Sequence, residues 1–311
     1  MIDARKLIKK LQQNLESVIR GKPEALKLLL TAVLAEGHVL VEDAPGTGKT
    51  TMAKALAASL DTSFSRIQFT PDLLPTDILG GMVYRASDGD FSFRKGPVFA
   101  NVVLADEINR ASPRTQSALL EAMAEQQVSI EGVTSTLPKP FMVIATQNPV
   151  EYSGTFPLPE AQLDRFCLKI SLGYPEVMQE IDILKAHADA TPIDSINAVM
   201  GAEELVQLRT QIRRVAVEQS VLDYIVRIVA KTRTDRRVRL GASLRGSLDL
   251  RRCSQACAFM NGRDYVRPED VQQLAVAVLA HRLIVDSRER HSGFRGEVVV
   301  NDALDTEAVP G

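Results

Sequence analysis

The chain has 311 residues, 45% of them hydrophobic and 24% charged, with 39 acidic side chains against 37 Lys and Arg. That length holds one large domain or two ordinary ones around a sizeable core, and the net charge of −2 speaks against a protein that coats nucleic acid by bulk positive charge. No apolar run approaches the ~18–20 residues of a membrane span, and Met1-Ile2-Asp3-Ala4-Arg5 leads into mixed charge rather than a signal core, so a soluble cytoplasmic protein is expected.

Helical periodicity opens the chain. Leu7, Ile8, Leu11, Leu15, Val18 and Ile19 recur at helical spacing over residues 3–19, and a second helix is predicted from Pro23 to Glu36 with proline near its first turn. Val39-Leu40-Val41-Glu42 reads as a strand stopped by Pro45 and Gly46, and a helix resumes from Lys49 to Leu60. Strand, glycine turn, helix is the first unit of an α/β fold. Further strands are predicted at Phe64–Phe69, Asn101–Ala105, Phe141–Ala145 and Cys167–Ile170, with a helix from Pro113 to Gln127 among the intervening segments. Near-continuous apolar strands alternating with helices imply a parallel sheet covered on both faces.

Two hairpins are expected to interrupt this core. Met82–Arg85 and Asp90–Arg94 flank a Ser87-Asp88-Gly89 turn, and Gln127–Ile130 and Val133–Ser135 flank Glu131-Gly132. Insertions of this kind commonly carry specificity. Strand signals end after Tyr174-Pro175-Glu176. Only helices are read from Ala202 onward, at Ala202–Arg213, Ser220–Asp235, Ser243–Asn261 and Pro268–Val285. The expected organisation is an α/β core over residues 1–190, an all-helical domain over 191–285 and an irregular, loosely packed tail over 286–311, which holds a short Glu297-Val298-Val299-Val300 run. Cys253 and Cys257 stand one helical turn apart with no His or Cys cluster to complete a metal site. With Cys167 they read as small buried thiols.

The chemistry gathers at strand ends. Glu42-Asp43-Ala44-Pro45-Gly46-Thr47-Gly48-Lys49-Thr50-Thr51 follows a strand and opens a helix. Phosphates need converging backbone N–H groups, which Gly46 and Gly48 allow by letting the chain curl, and the helix start adds its positive dipole end. Lys49 is placed to reach the β- and γ-phosphates of a nucleotide, and Thr50 to offer a hydroxyl to Mg²⁺. Asp43 stands where the usual phosphate-loop pattern has glycine. At the end of the third strand, Asp106 is assigned to Mg²⁺ and Glu107 to accepting a proton from the attacking water. Asn148 ends the fourth strand in the same crevice, where it can orient that water or cap the turn before Pro149.

In this order the pieces resemble the AAA+ ATPases, and among them the MoxR family. The resemblance lies in Val18-Ile19-Arg20-Gly21, Ala44-Pro45-Gly46-Thr47-Gly48-Lys49-Thr50, Ala105-Asp106-Glu107-Ile108-Asn109-Arg110-Ala111 and Ala145-Thr146-Gln147-Asn148-Pro149. It continues in the family-specific Phe156-Pro157-Leu158-Pro159-Glu160-Ala161-Gln162-Leu163-Asp164-Arg165-Phe166 and in Gly241-Ala242-Ser243-Leu244-Arg245.

The resemblance implies an AAA+ core with a helical lid, ATP or ADP bound with Mg²⁺ between subunits, and a homo-oligomeric, usually hexameric, ring. It casts Val18, Ile19 and Gly21 as the loop packing on adenine and Asn148 as sensor 1. Arg165 becomes the arginine finger, with Arg110 and Arg114 as competitors, and Arg245 becomes sensor 2, reporting the γ-phosphate to the lid. Leu244 and Gly246 stand where the family usually carries proline and alanine.

The resemblance further implies a chaperone-like protein that activates or matures a client, often through a metal cofactor, with a von Willebrand factor A domain protein as partner. Two other classes compete: a DNA-directed motor, which the net charge disfavours, and a nucleotide-gated scaffold, which the joint presence of Asp106 and Glu107 disfavours.

Overall fold

The computed structural model describes residues 4–87, 89–148, 155–189, 192–291 and 293–310. Asp88, in the expected first hairpin turn, and Pro149, after Asn148, lie outside the described residues.

Helices α1 (Ala4–Val18) and α2 (Pro23–Leu34) lead into β1 (Val39–Glu42) and α3 (Lys49–Ser59). Next come β2 (Phe64–Gln68), the short α4 (Pro75–Leu79), β3 (Gly80–Arg85), β4 (Asp90–Lys95) and β5 (Val102–Asp106). A single 3₁₀ turn precedes α5 (Pro113–Glu125), β6 (Gln127–Ile130), β7 (Val133–Thr136), β8 (Met142–Gln147), α6 (Glu160–Leu163) and β9 (Leu168–Ile170). The C-terminal half holds α7 (Val177–Asp189), α8 (Ala202–Ile212), α9 (Gln219–Thr234), β10 (Val238–Leu240) and α10 (Leu244–Met260). It ends with α11 (Pro268–Leu279), β11 (Ile284–Val285), α12 (Ser287–His291) and α13 (Gly296–Thr306).

Five strands form one sheet in the order β2-β5-β8-β1-β9, every neighbouring pair parallel. Alternation along each strand sorts side chains to the two faces. Val39, Val41, Val102, Leu104, Met142 and Ile144 enter one apolar cluster with α1, α2 and α3. Leu40, Val103, Ala105, Val143 and Ala145 enter a second with α5. The first cluster does not stop at the sheet: it runs on through Leu205, Tyr224, Leu250, Leu274 and Val300. Sheet and C-terminal helices share one core.

Both hairpins form as separate two-stranded ribbons, β3–β4 and β6–β7. Neither joins the main sheet, and the exposed Tyr84 and Phe91 rings meet at a 60° tilt with centroids 5.4 Å apart.

Two expectations require correction. The helical part also contains strands, since β10 and β11 pair antiparallel, with Leu240 opposite Ile284. The expected irregular tail is α12 and α13. Val299, Val300 and Ala303 are buried in the shared core. The guanidinium of Arg237 lies 4.4 Å from the Phe294 ring and 2.6 Å from Asp302. Burial on one face plus a cation at the other converts a short valine run into a docked helix. The helices α4 and α7 lie beyond the sequence reading: α4 is a single turn, and α7 keeps helical spacing at Val177, Ile181 and Leu184 but closely follows Gly173 and Pro175.

Candidate nucleotide site

Where β1 ends, Gly46 and Gly48 take φ of 81° and 90°, left-handed conformations that cost other residues strain. Gly48 is the N-cap of α3, so the loop turns and the helix begins within one step. The Lys49 ammonium donates to the carbonyls of Asp43 (3.0 Å) and Ala44 (2.7 Å), and Thr47 Oγ1 donates to Ala44 (3.3 Å). Asp43 explains its own departure from the glycine pattern. Its buried carboxylate accepts from Ser171 Oγ at 2.8 Å, from Gly173 N at 3.0 Å and from Leu172 N. Side chain thus clamps loop to the segment after β9, a role glycine cannot fill.

An open cleft of about 400 Å³ lies over this loop at the C-terminal edge of the sheet, and its lining includes Gly46, Lys49, Thr50, Asp106, Glu107 and Asn148. Pro45 and Thr51 also face it. Open α/β sheets bind ligands at this edge. Val18 and Ile19 are buried behind the loop, with Ile19 Cδ1 3.9 Å from the Cβ position of Gly48. At Gly21 (φ 72°) the Gln179 amide of α7 fills the space a Cβ would need. The structure therefore gathers the residues expected on phosphate and metal around one cleft, while of those expected on adenine Ile19 lies against the phosphate loop and none lines the cleft.

The acid pair is held from β2. Asp106 Oδ2 accepts from Arg66 Nη2 (2.7 Å) and Nε (3.1 Å), while its Oδ1 accepts from Thr146 Oγ1 (2.7 Å). Glu107, at φ 56°, accepts at Oε2 from Gln68 Nε2 (2.9 Å) and Arg110 Nη1 (3.0 Å). Its own N–H donates to the Thr146 hydroxyl at 2.9 Å. Arg66, Gln68 and Thr146 are cleft residues that the sequence reading missed. The available signal was alternation: Arg66 and Gln68 share a face of β2 on either side of buried Ile67. Asn148 is buried at the end of β8 beside them.

Arg165 and Arg245 are elsewhere. They line a smaller hollow of about 150 Å³ with Glu36, His38, Gln126 and Asp249. His38 immediately precedes β1, whereas the phosphate loop follows it. Four residues of strand separate those edges by roughly 10–13 Å. Arg245 accordingly stands apart from the phosphate-loop cleft of its own chain. Arg110 is engaged with its own chain's Glu107, and Arg114 is exposed on the first turn of α5.

The two arginines are tied together. Ser243 Oγ, the N-cap of α10, donates to both oxygens of Asp164 (3.0 and 2.9 Å) and accepts from Arg245 N (3.0 Å). Buried Arg282 pairs with Asp164 (3.1 Å) and Asp249 (2.6 Å) and donates to the carbonyls of Phe166 (2.7 Å) and Cys167 (3.2 Å). Arg165 itself donates to the Leu120 carbonyl at 2.6 Å.

Three buried groups beside this hollow are held in their neutral forms. Burial lowers His38 to about 4, and its Nδ1 accepts from Val143 N at 3.0 Å. Burial and the adjacent Arg282 charge lower His281 to about 3. Cys253 and Cys167 meet sulfur to sulfur at 3.3 Å, and that contact together with burial raises the Cys253 thiol.

Comparison with known proteins agrees in both halves. Residues 38–168 match the ATPase family associated with various cellular activities (AAA), and residues 230–302 match an AAA lid domain. The uncharacterized protein YeaC of Bacillus subtilis is 47% identical, covering 99% of this chain and 96% of its own. Chaperone MoxR1 of Mycobacterium tuberculosis is 41% identical over 96% of this chain and 81% of its own. A solved structure described as a candidate ATPase from Cytophaga hutchinsonii superposes with a TM-score of 0.92 at 37% identity, covering 99% of this chain and 96% of that one.

Proposed function

Since the chain belongs to the MoxR family of AAA+ ATPases, a family that binds and hydrolyses ATP, we propose that its hydrolytic site is completed between successive copies and drives the remodelling or maturation of a client protein complex. One observation carries this reading: the phosphate loop and the arginine pair stand at opposite edges of the same sheet. A cleft that Arg165 and Arg245 of its own chain do not line is served by a neighbour's.

In this reading the N–H groups of the Ala44–Thr51 loop hold the phosphates, and Lys49 leaves the Asp43 and Ala44 carbonyls for phosphate oxygens. Val18, Ile19 and Gly21 pack on adenine, a placement that the proximity of Ile19 to Gly48 supports. Glu107 takes a proton from the attacking water, with Gln68 and Arg110 setting its direction. Asn148 orients that water. Arg165 and Arg245 enter from the next copy and meet the charge that grows on the phosphate oxygens.

Thr50 and Asp106 would hold a Mg²⁺ ion, because both are hard oxygen donors on the cleft lining; bound there, the ion would supply charge neutralisation of the phosphates.

Such an arrangement is heterologous and closes into a ring, six-membered by family resemblance. The exposed β3–β4 and β6–β7 ribbons are the levers that touch the client, and resemblance supplies a von Willebrand factor A domain partner and metal cofactor insertion as the task. Among the described residues no helix is long and apolar enough to cross a membrane. The ring and the client both act in the cytoplasm in this proposal.

The test is ATP hydrolysis per chain against protein concentration with Mg²⁺ present. A specific rate that climbs steeply with concentration supports completion in trans. A constant, nonzero rate on dilution means that each chain hydrolyses alone and removes the neighbour from the mechanism.

A further inference from the structure

We infer that Arg66 makes the cleft select a metal–nucleotide complex over a free divalent cation, by holding the place at Asp106 that the cation needs. The inference rests on the reading that Asp106 holds Mg²⁺, and it adds the residue that decides when the ion is accepted.

Strand geometry brings the pair together. Strands β2 and β5 run parallel, with Arg66 opposite Leu104 and Gln68 opposite Asp106. Arg66 therefore reaches diagonally along the face it shares with Gln68, towards the edge where the cleft opens. Asp106 Oδ2 there accepts from its Nη2 (2.7 Å) and its Nε (3.1 Å), and a further bond from Nη2 to Gln68 Oε1 (2.7 Å) pins the guanidinium. The Thr146 hydroxyl takes Oδ1. A carboxylate offers about four acceptor positions, so these bonds leave roughly one for a metal.

Exposure decides which partner yields. Asp106 keeps 11% of its side-chain surface in solvent and needs a counter-charge, whereas Arg66 keeps 47% and can leave at small cost. An arginine placed only to brace two strands has no need to face the ligand cleft, yet Arg66 lines it.

Charge completes the argument. The charged side chains on the cleft lining are Lys49, Arg66, Asp106 and Glu107, two of each sign. A lone divalent cation meets no net attraction there and must lie beside a guanidinium bound to the same oxygen. Like charges that close repel strongly even at a partly wet site. A cation that arrives on a polyphosphate brings the remedy, because phosphate oxygens accept the fork that Arg66 withdraws from Asp106. Ion and arginine then exchange oxygens, and each ends beside negative charge. Free Mg²⁺ offers no such exchange. Arg66 is thus a specificity-determining residue that works by penalising the wrong ligand.

The test titrates Mn²⁺, as the probe for the divalent site, against the full chain without nucleotide, with free Mn²⁺ read by electron paramagnetic resonance. Arg66→Gln should bind Mn²⁺ at least roughly tenfold tighter than the wild type, the smallest change expected when a full charge beside a divalent ion is removed. Arg66→Lys keeps the charge and should stay near the wild-type affinity. Adding Asp106→Asn to Arg66→Gln should abolish the gain. Circular dichroism checks folding, and Arg66→Met carries the test if the glutamine variant unfolds.

Equal Mn²⁺ affinity in the wild type and Arg66→Gln overturns the inference, as does a gain that survives Asp106→Asn. An arginine that merely ties β2 to β5 gives no gain at all. Binding of a fluorescent ATP analogue, with and without Mg²⁺, separates the inference from the reading beneath it. If Mg²⁺ strengthens that binding in the wild type but not in Asp106→Asn, the metal assignment stands whatever Arg66 does. If Asp106→Asn leaves the Mg²⁺ dependence unchanged, the metal assignment falls and the role of Arg66 falls with it.

Discussion

The two edges of the central sheet are built in different ways. The C-terminal edge carries a cleft made from short contiguous stretches: a loop over Asp43–Thr51, the pair Asp106-Glu107 and Asn148. The N-terminal edge carries Arg165 and Arg245, held together by bonds between residues far apart in sequence, such as Asp164 with Ser243 and Arg282 with Asp249. The first edge is placed by backbone turns at Gly46 and Gly48 and braced by side-chain bonds of Arg66, Gln68 and Asp43. The second is organised by a buried ionic network, so its failure should spread to both arginines at once. On the proposed mechanism, the cleft at the first edge and the arginines at the second should be separable by mutation.

The largest effect should come from the acid pair. Glu107→Gln should lower ATP turnover by roughly 10²–10⁴-fold while leaving nucleotide binding intact, because it removes only proton acceptance. Steady-state hydrolysis set beside equilibrium binding of a fluorescent nucleotide checks this, and lost binding would mean that Glu107 instead holds the cleft together. Arg165→Ala should lower turnover by about 10²–10³-fold. Mixing it with Glu107→Gln chains should restore part of the rate, since each supplies what the other lacks. No recovery in mixed assemblies would return Arg165 to its own chain and erase the contrast between edges.

Arg282→Lys sharpens the comparison further. It keeps the charge but cannot bridge Asp164, Asp249 and two carbonyls at once. Truncating one partner of a buried pair typically costs about 3–5 kcal/mol, and the lysine variant should lose part of that. Thermal unfolding measures the stability, and nucleotide affinity of the separate chain should stay unchanged. Asp43→Ala probes the opposite edge. It leaves the Leu172 and Gly173 N–H groups without their carboxylate, at a cost of about 1–3 kcal/mol for each buried donor left unpaired. Its signature should be weaker ATP binding rather than slower chemistry.

Acid should act mainly on the arginine edge. His38 and His281 have folded values near 4 and 3, below the ordinary 6.5, so between those limits the unfolded chain binds more protons. Stability from both is fully present above about pH 6.5 and is lost as pH falls through that window, at roughly 1.4 kcal/mol per pKa unit for each group. Denaturant midpoints from pH 7 to pH 4 should show this slope, and His38→Gln should reduce it. A flat profile would mean that neither histidine is held neutral.

The legibility of the sequence follows the same division. The phosphate loop and the acid pair stand out because their chemistry needs adjacent residues, and the sheet strands because burial on both faces makes them continuously apolar. Arg66 and Gln68 escaped because their function lies across a strand pair, in register with Leu104 and Asp106, which no spacing along the chain encodes. The family resemblance named Arg165 and Arg245 but not the edge they occupy, since that edge is set by Arg282 and Ser243. The tail was misread for a related reason. Three valines in a row favour extended chain locally, and only the docking surface that buries Val299, Val300 and Ala303 makes them helical.

The apolar cluster that passes unbroken from Val39 and Leu104 through Tyr224 and Leu250 to Val300 has a mechanical consequence. Flexing the C-terminal helices against the sheet would tear open a close-packed interior, which resists small displacements. Each chain should therefore melt in one cooperative transition and travel through its catalytic cycle as a nearly stiff body. In the assembly proposed above, the joints would lie where one stiff body meets the next, and the work extracted from a nucleotide would be expressed as rotation between copies.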